Sequence, residues 1–247
     1  MIHTSTLATL DTLRKDTRHL LNEFDAADAL AVYYTLYHEP KRTTLYVNRN
    51  GGVEPDGFLT KCITGIDLFR PLVTLRLRGS EALPTLLSAA LTPGHPCMLV
   101  IPTSYLDRVK PYLALTAVSQ THIMRLEMER YRPEMNALIT HISDPPGNPR
   151  VEMRQRSRVI AAAGVNWRSP LFAEIFVTVE EAHRMRGLGR AVVNALVGDL
   201  LKLKLMPLYS VNPDNDPSLA LAEAVGFVDT GGREVMAQAV RIIDGDG

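Results

Sequence analysis

The sequence predicts an α/β protein with a mixed, twisted sheet and flanking helices. Segments with the alternation typical of strands are separated by segments with the spacing typical of helices, and this order occurs once in each half of the chain. The 247 residues are 46% hydrophobic and 22% charged, a balance that excludes wholesale disorder. At roughly 150 residues per domain, the length predicts one or two domains.

In the first half, leucines at three- and four-residue spacing predict helices within the first 40 residues. From Thr43 the pattern becomes that of strands, and strands then alternate with helices. The expected strands are 44–47, 58–63, 72–77 and 98–101, and the expected helices are 81–91 and 106–115.

The second half repeats this order with stronger signals. A wide apolar stripe from Leu188 to Leu201 predicts an amphipathic helix. Asp216 and Pro217 suit the N-cap and first position of a short helix that ends at Gly226. The expected strands are 122–129, 151–158, 159–167, 175–179 and 208–211, and a terminal hairpin is expected within 227–242.

Two landmarks recur at a constant distance along the chain. Arg78-Gly79 and Arg186-Gly187 each come before a predicted helix, 108 positions apart, and Met98 and Met206 begin the next strands at the same offset. This offset predicts a duplicated fold with domains 1–118 and 119–247.

Charge and cysteine content exclude several classes of function. The 27 basic residues balance the 27 acidic ones, so no global cationic excess is available for nucleic acid or a membrane surface. Cys62 and Cys97 are the only cysteines, and the seven histidines form no H-E-x-x-H motif, so no metal site is expected. Without a signal peptide or a long apolar run, the chain is expected to be cytoplasmic.

The most specific motif joins the strand that ends at Val179 to the helix that begins near Leu188. Backbone N–H groups at a helix start have no partner within the helix, and with the helix dipole they favour a phosphate. Gly187 and Gly189 allow the backbone to approach such a ligand, while Arg184, Arg186 and Arg190 supply cations. A dinucleotide fingerprint needs a third glycine where Val192 stands, and no Walker lysine is present.

The loop fits R-x-x-G-x-G from Arg184 to Gly189, after a V-x-V strand end at Val177 and Val179. With this loop and strand end the sequence resembles the GNAT superfamily of acyl-CoA-dependent N-acetyltransferases. The resemblance continues downstream at family spacings and covers about a quarter of the chain. The downstream matches are Val211, Asn215, Ser218, Leu221-Ala222 and Gly226-Phe227.

The resemblance implies a GNAT fold and a site for acetyl-CoA in the second half. The expected cofactor-binding residues are Val177, Thr178, Val179, Arg184, Met185, Arg186, Gly187, Leu188, Gly189, Arg190, Ala191 and Asn215. In the first half, Glu81 would place a negative charge where the phosphate lies, so that half is expected to be degenerate and not to bind the cofactor.

The catalytic groups depart from the family pattern. The tyrosine that often protonates the leaving thiolate would fall at Ala222, so Ser218, water or a residue of the other half is expected to replace it. The family's strand glutamate aligns with Ala173, one residue from Glu174, and a one-residue shift points a side chain to the other face. A β-bulge could restore Glu174 to a proton-transfer role.

The resemblance implies transfer of an acetyl group from acetyl-CoA to a primary amine of a small molecule or peptide. A non-catalytic acyl-CoA-binding or regulatory module is the alternative, because the tyrosine and the aligned glutamate are both missing. The sequence leaves the acceptor, the acyl length and the oligomeric state open.

Overall fold

The structure is a computed structural model that describes residues 1–49, 51, 54–65, 67, 69–144 and 147–242. It divides into two compact units, Met1–Thr121 with Arg233–Gly247, and His122–Gly232. The sequence assigned everything after residue 118 to one domain. The final segment instead clusters with the first unit, because the second half of the last strand pairs with a strand of that unit.

The elements alternate along the chain as follows. The strands are β1 Ile2–Thr4, β2 Thr43–Asn48, β3 Gly57–Cys62, β4 Leu72–Leu77, β5 Cys97–Pro102, β6 Leu113–Leu126, β7 Ile139–Asp144, β8 Asn148–Gln155, β9 Arg158–Arg168, β10 Phe172–Val179, β11 Met206–Val211 and β12 Phe227–Arg241. The α-helices are α1 Leu10–Thr17, α2 Ala29–Val32, α3 Ala82–Ala90, α4 Leu106–Val109, α5 Leu188–Lys202 and α6 Asp216–Val225. A π-helical turn, Tyr33–Tyr37, continues α2, and short 3₁₀ turns lie at Arg18–Leu20, Ala26–Asp28, Pro40–Arg42, Thr103–Tyr105 and Glu181–His183.

In the first unit, β1 to β4 form an antiparallel meander, and β4 then pairs in parallel with β5. Residues 234–239 of β12 pair antiparallel with β5. The α3 helix places Leu83, Leu86 and Leu87 on one face, and these side chains are buried against the strands. Parallel neighbours need a crossover, and α3 supplies it between β4 and β5.

In the second unit, β7, β8, β9 and β10 are antiparallel neighbours. The β10 strand pairs in parallel with β11, and β11 pairs antiparallel with residues 122–125 of β6. The α5 helix makes the crossover, and its buried face includes Val192, Leu196 and Leu200. Together the two units confirm the predicted α/β class with a mixed sheet.

Three sequence expectations about elements are wrong. The helix expected to reach residue 115 ends at Val109, because β6 begins at Leu113. The terminal hairpin is a single strand, β12, in which Gly231 has a φ of +80° without ending the strand. The α6 N-cap is Asn215 rather than Asp216, and its side chain accepts a hydrogen bond from the Ser218 amide at 3.2 Å.

Candidate functional site

The second unit contains a cleft where β10 and β11 separate. The two strands pair only from Phe172–Met206 to Glu174–Leu208. Beyond this point residues 175–179 stay paired with β9, and residues 209–211 stay paired with β6. The edge of β10 that faces the opening therefore has no strand partner there among the described residues, and a cavity of about 720 Å³ lies beside it.

Most of the predicted cofactor residues line this cavity. They are Val177, Thr178, Val179, Arg184, Met185, Gly187, Leu188, Gly189, Arg190 and Asn215, and the predicted Ser218 joins them. Arg186, Ala191 and Glu174 are not among the lining residues. Sequence reasoning missed His183, Pro217, Ala220 and Leu221. The last three share one face of α6 at three- and four-residue spacing, a signal that could have identified them.

The loop before α5 has the backbone of an anion-binding site. Met185 and Gly187 have φ values of +60° and +77°, with Arg186 between them outside the positive region. Such alternation turns successive N–H groups toward one point and forms a nest for anions. Ala191 donates to the Gly187 carbonyl at 3.1 Å, so the amides of the preceding α5 residues have no acceptor one turn back.

The two loop glycines have different roles. Gly187 is in the left-handed region, and a Cβ there would meet nothing within 4 Å, so it serves the backbone turn. A Cβ on Gly189 would lie 2.7 Å from Cδ1 of Leu221. Gly189 therefore allows α5 to pack closely against α6. Since Gly189 and Leu221 both line the cavity, the role of Gly189 in clearing space for a ligand stays a prediction.

The three loop arginines are not equally available. Arg190 forms an ion pair with Glu134. The Arg184 Nε group donates to the Val179 carbonyl at 3.4 Å, and its side chain lines the cavity. Arg186 is exposed but does not line it. A ligand phosphate would compete with Glu134 for Arg190.

Glu174 lies on the face of the sheet opposite to α5 and α6. Its neighbours Ala173 and Ile175 belong to the core under those helices, so Glu174 points the other way. The pairing of β10 with β9 shifts register between Glu174 and Ile175, and the extra residue, Asn166, lies on β9. This bulge therefore leaves Glu174 on the face opposite to Ala173 and does not turn it to the family's position. Asn166 Nδ2 donates to Glu174 Oε2 at 2.7 Å.

Burial raises the pKa of Glu174 to about 7, because desolvation disfavours the charged carboxylate. Hydrogen bonds from Asn166 and Ser210 act in the opposite direction. A carboxyl group with a pKa near neutrality can exchange a proton at physiological pH.

The helix side of the cleft contains a second polar contact. Tyr209 is buried, with its ring centroid 5.9 Å from that of Phe227. Burial raises the pKa of its phenol, and a hydrogen bond with Ser218 opposes that shift. Ala222, at the family's tyrosine position, is 0% exposed and belongs to the core. A tyrosine at that position would overpack the core.

The remaining predicted groups have structural surroundings. The side chains of Val177 and Val179 pack against the core, as expected, which leaves their backbone for a ligand. Both cysteines are buried free thiols. Among the described residues no group of three or more metal-ligating side chains occurs, and no described helix is long and apolar enough to cross a membrane.

Comparison with known proteins agrees with this geometry. Residues 151–232 match the family model of the GNAT acetyltransferases. No curated protein matches the sequence. A Drosophila protein of known structure aligns over 98% of this chain and 98% of its own at 13% identity, with a TM-score of 0.67. A GCN5-related N-acetyltransferase from Sphaerobacter thermophilus covers 98% and 96% at 13% identity, with a TM-score of 0.61.

A tandem GNAT protein from the clavulanic acid biosynthesis pathway aligns over 98% of both chains at 13% identity, with a TM-score of 0.62. At such identities the likeness concerns the fold, and its extent supports two GNAT-like halves. The chain therefore has the GNAT fold, and residues 151–232 of its second half match the GNAT acetyltransferase family.

Proposed function

We propose that the protein transfers an acetyl group from acetyl-CoA to the primary amine of a small molecule or peptide. The observation that carries this proposal is the cleft between β10 and β11, with a positive-φ loop and the start of α5 on one side. General acyl transfer agrees with the family of residues 151–232. The donor, the amine and a cytoplasmic location are predictions.

The residues of the cleft fit the parts of an acyl-CoA. The nest from Met185 to Gly187 and the first α5 amides suit the pyrophosphate. The edge of β10 at Val177 has no strand partner there among the described residues and offers backbone groups to the amide-containing pantetheine arm, while the Val179 carbonyl would have to exchange its contact with Arg184 for the ligand. Asn215 stands on the opposite wall.

The chemistry requires the amine to attack the thioester as a free base. The protein positions the two reactants, and Glu174 takes a proton from the ammonium group, so that an N–H bond breaks and an O–H bond forms. The departing thiolate then needs a proton. Ser218 and Thr178 both line the cavity with hydroxyl groups, and Ser218 is the one whose contact with Tyr209 connects it to a further hydroxyl group, so we assign it to protonate the thiolate.

A non-catalytic acyl-CoA-binding module is the second candidate. Ala222 favours it, because an alanine in the core cannot protonate a thiolate. Thiol release from acetyl-CoA, measured against amino acids, polyamines, aminoglycosides and peptides, separates the two functions. Release with at least one amine supports the transferase, whereas binding without release for every amine supports the module.

The binding step has a matched pair of variants. Gly187 and Gly231 have φ values of +77° and +80°, and at neither glycine would an added Cβ meet an atom within 4 Å. Gly187→Ala and Gly231→Ala therefore each place an alanine at a positive φ, at a cost of about 1–2 kcal/mol. We expect Gly187→Ala to weaken CoA binding about tenfold in isothermal titration, because the strain distorts the nest. Gly231→Ala is expected to bind like the wild type.

Equal affinities for the two variants would contradict the assignment of the loop as the phosphate site. Thermal unfolding of both variants provides the control, since similar stability losses show that the comparison is matched.

A further inference from the structure

We infer that Asn166 is a positioning residue for proton transfer, which holds one oxygen of Glu174 so that the other oxygen faces the incoming amine. This inference rests on the proposed function, in which Glu174 accepts the proton. It adds a residue of β9 to a site that is otherwise built from β10, the α5 loop and α6.

The β-bulge places Asn166 at this position. Ile175 pairs with Val165, but Glu174 pairs with Trp167, so β9 has one residue more than β10 over this stretch. In a bulge the extra residue leaves the ladder and its side chain is redirected. Trp167 continues the ladder and is buried, while Asn166 stays exposed and directs its amide at Glu174.

The amide contact fixes the geometry of the carboxyl group. Asn166 Nδ2 donates to Oε2 at 2.7 Å, a short distance for a neutral donor. Because an ionised carboxylate has about four acceptor positions on its two oxygens, Glu174 can accept from Asn166 and Ser210 and still take up a proton. The asparagine amide cannot itself take up the proton, so it orients the base and stabilises its ionised form without competing for the proton.

The charged groups of β8 on this face do not take over this role, and Arg125 of β6, which shares the face, is exposed. Glu152 on β8 is bracketed by Arg150 and Arg154, at 2.9 Å and 2.6 Å. Arg150 also contacts Asp144 at 3.4 Å, so these charges neutralise one another. Among the described side chains of β9, Asn166 is the one that donates to Glu174. Ser210 on β11 supplies a second hydrogen bond to it.

The test is the pH dependence of kcat in the full-length chain, with saturating acetyl-CoA and the best amine of the panel. Asn166→Ala removes the donor, so the basic form of Glu174 needs a higher pH. We expect a loss of about tenfold at pH 6 that recovers by pH 9, with an unchanged KM for acetyl-CoA. Asn166→Asp is expected to shift the profile further, because a second carboxylate opposes ionisation.

Thr140→Ala, at an exposed residue of β7, is the control and is expected to keep the wild-type profile. A loss that is equal at every pH, or an unshifted profile, would overturn the positioning role while leaving acetyl transfer intact. If Glu174→Gln retained full activity, Glu174 would not be the base. The role of Asn166 would then be overturned, while acetyl transfer itself would stand. An absence of turnover with every amine would instead overturn the proposed function together with it.

Discussion

The two parallel strand pairs of the molecule open in the same manner but differ in what lies at the opening. In the first unit, β4 and β5 pair only at Leu72–Met98 and Val73–Leu99. In the second unit, β10 and β11 pair only from Phe172–Met206 to Glu174–Leu208. In each pair a helix connects the two strands, α3 in the first unit and α5 in the second. Within the described chain, the two strands of each pair form no further pairing beyond these residues. The strand architecture alone therefore does not make a binding site.

The loop before the helix is the first difference. Leu72 and Phe172 begin the two strands 100 positions apart, whereas Gly79 and Gly187 lie 108 positions apart. The second unit thus has eight more residues between strand and glycine, and they include the 3₁₀ turn at Glu181–His183. Arg78 and Gly79 have no positive φ, so the first unit has no counterpart of the nest at these described residues.

The strand edge is the second difference. The Tyr105 hydroxyl group donates to the Leu77 carbonyl at 3.1 Å and accepts from the Leu77 amide at 3.2 Å. These are the kind of backbone groups that Val177 leaves free in the second unit. Thr74 stands 100 positions before Glu174, so the first cleft also lacks a carboxyl group at that position. In the first unit the Tyr105 side chain occupies the backbone groups at the strand edge, whereas in the second unit the strand edge is open to a ligand.

The largest expected effect comes from removing the carboxyl group that distinguishes the second cleft. Glu174→Gln keeps the shape but cannot accept a proton, so kcat should fall about 10²–10⁴-fold. In the wild type, kcat should rise with pH through about 7, because the base must be ionised and burial raises the pKa of Glu174 to about 7. Steady-state rates from pH 5 to 9 measure both effects.

Stability provides the control for this variant. The raised pKa of Glu174 means that the folded state holds the proton more tightly than the unfolded chain, so the wild type loses stability as pH rises toward about 7. Glu174→Gln should therefore melt no lower than the wild type at pH 8. A lower melting temperature there would attribute the rate loss to misfolding.

A smaller effect is expected from opening the first cleft. Tyr105→Phe leaves the Leu77 amide and carbonyl without their hydroxyl partner, at a cost of about 1–3 kcal/mol in the free energy of unfolding. The first unit still lacks the eight additional residues that form the loop before α5 in the second unit. Titration should therefore continue to give one CoA per chain. Tyr112→Phe is the matched control, since the Tyr112 hydroxyl group forms no hydrogen bond with the described residues. A second CoA equivalent in Tyr105→Phe would show that the hydroxyl group alone closes the cleft.

The sequence predicted the architecture of the second cleft better than its chemistry. Local spacing predicted a strand, an R-x-x-G-x-G loop and a helix around Gly187. The observed bounds of β10 and α5 agree with that prediction to within a few residues. The bulge at Asn166 had no signal in the sequence of β9, because a bulge depends on cross-strand register, which a single strand does not encode. The contacts of Tyr105 with Leu77 and of Arg190 with Glu134 are tertiary and had no local signal.

The smallest expected effect concerns the charge at the mouth of the second cleft. Glu134 pairs with Arg190, and both side chains are substantially exposed. Glu134→Gln removes the competing carboxylate, so Arg190 can turn to the ligand phosphate, and the CoA dissociation constant should fall by up to about fivefold. The gain should shrink at high salt, because exposed charges are screened. Glu129→Gln is the control, since the Glu129 carboxylate lies in the same segment and forms no ion pair with the described residues. If Glu134→Gln and Glu129→Gln changed the affinity equally, the effect would reflect net charge rather than release of Arg190.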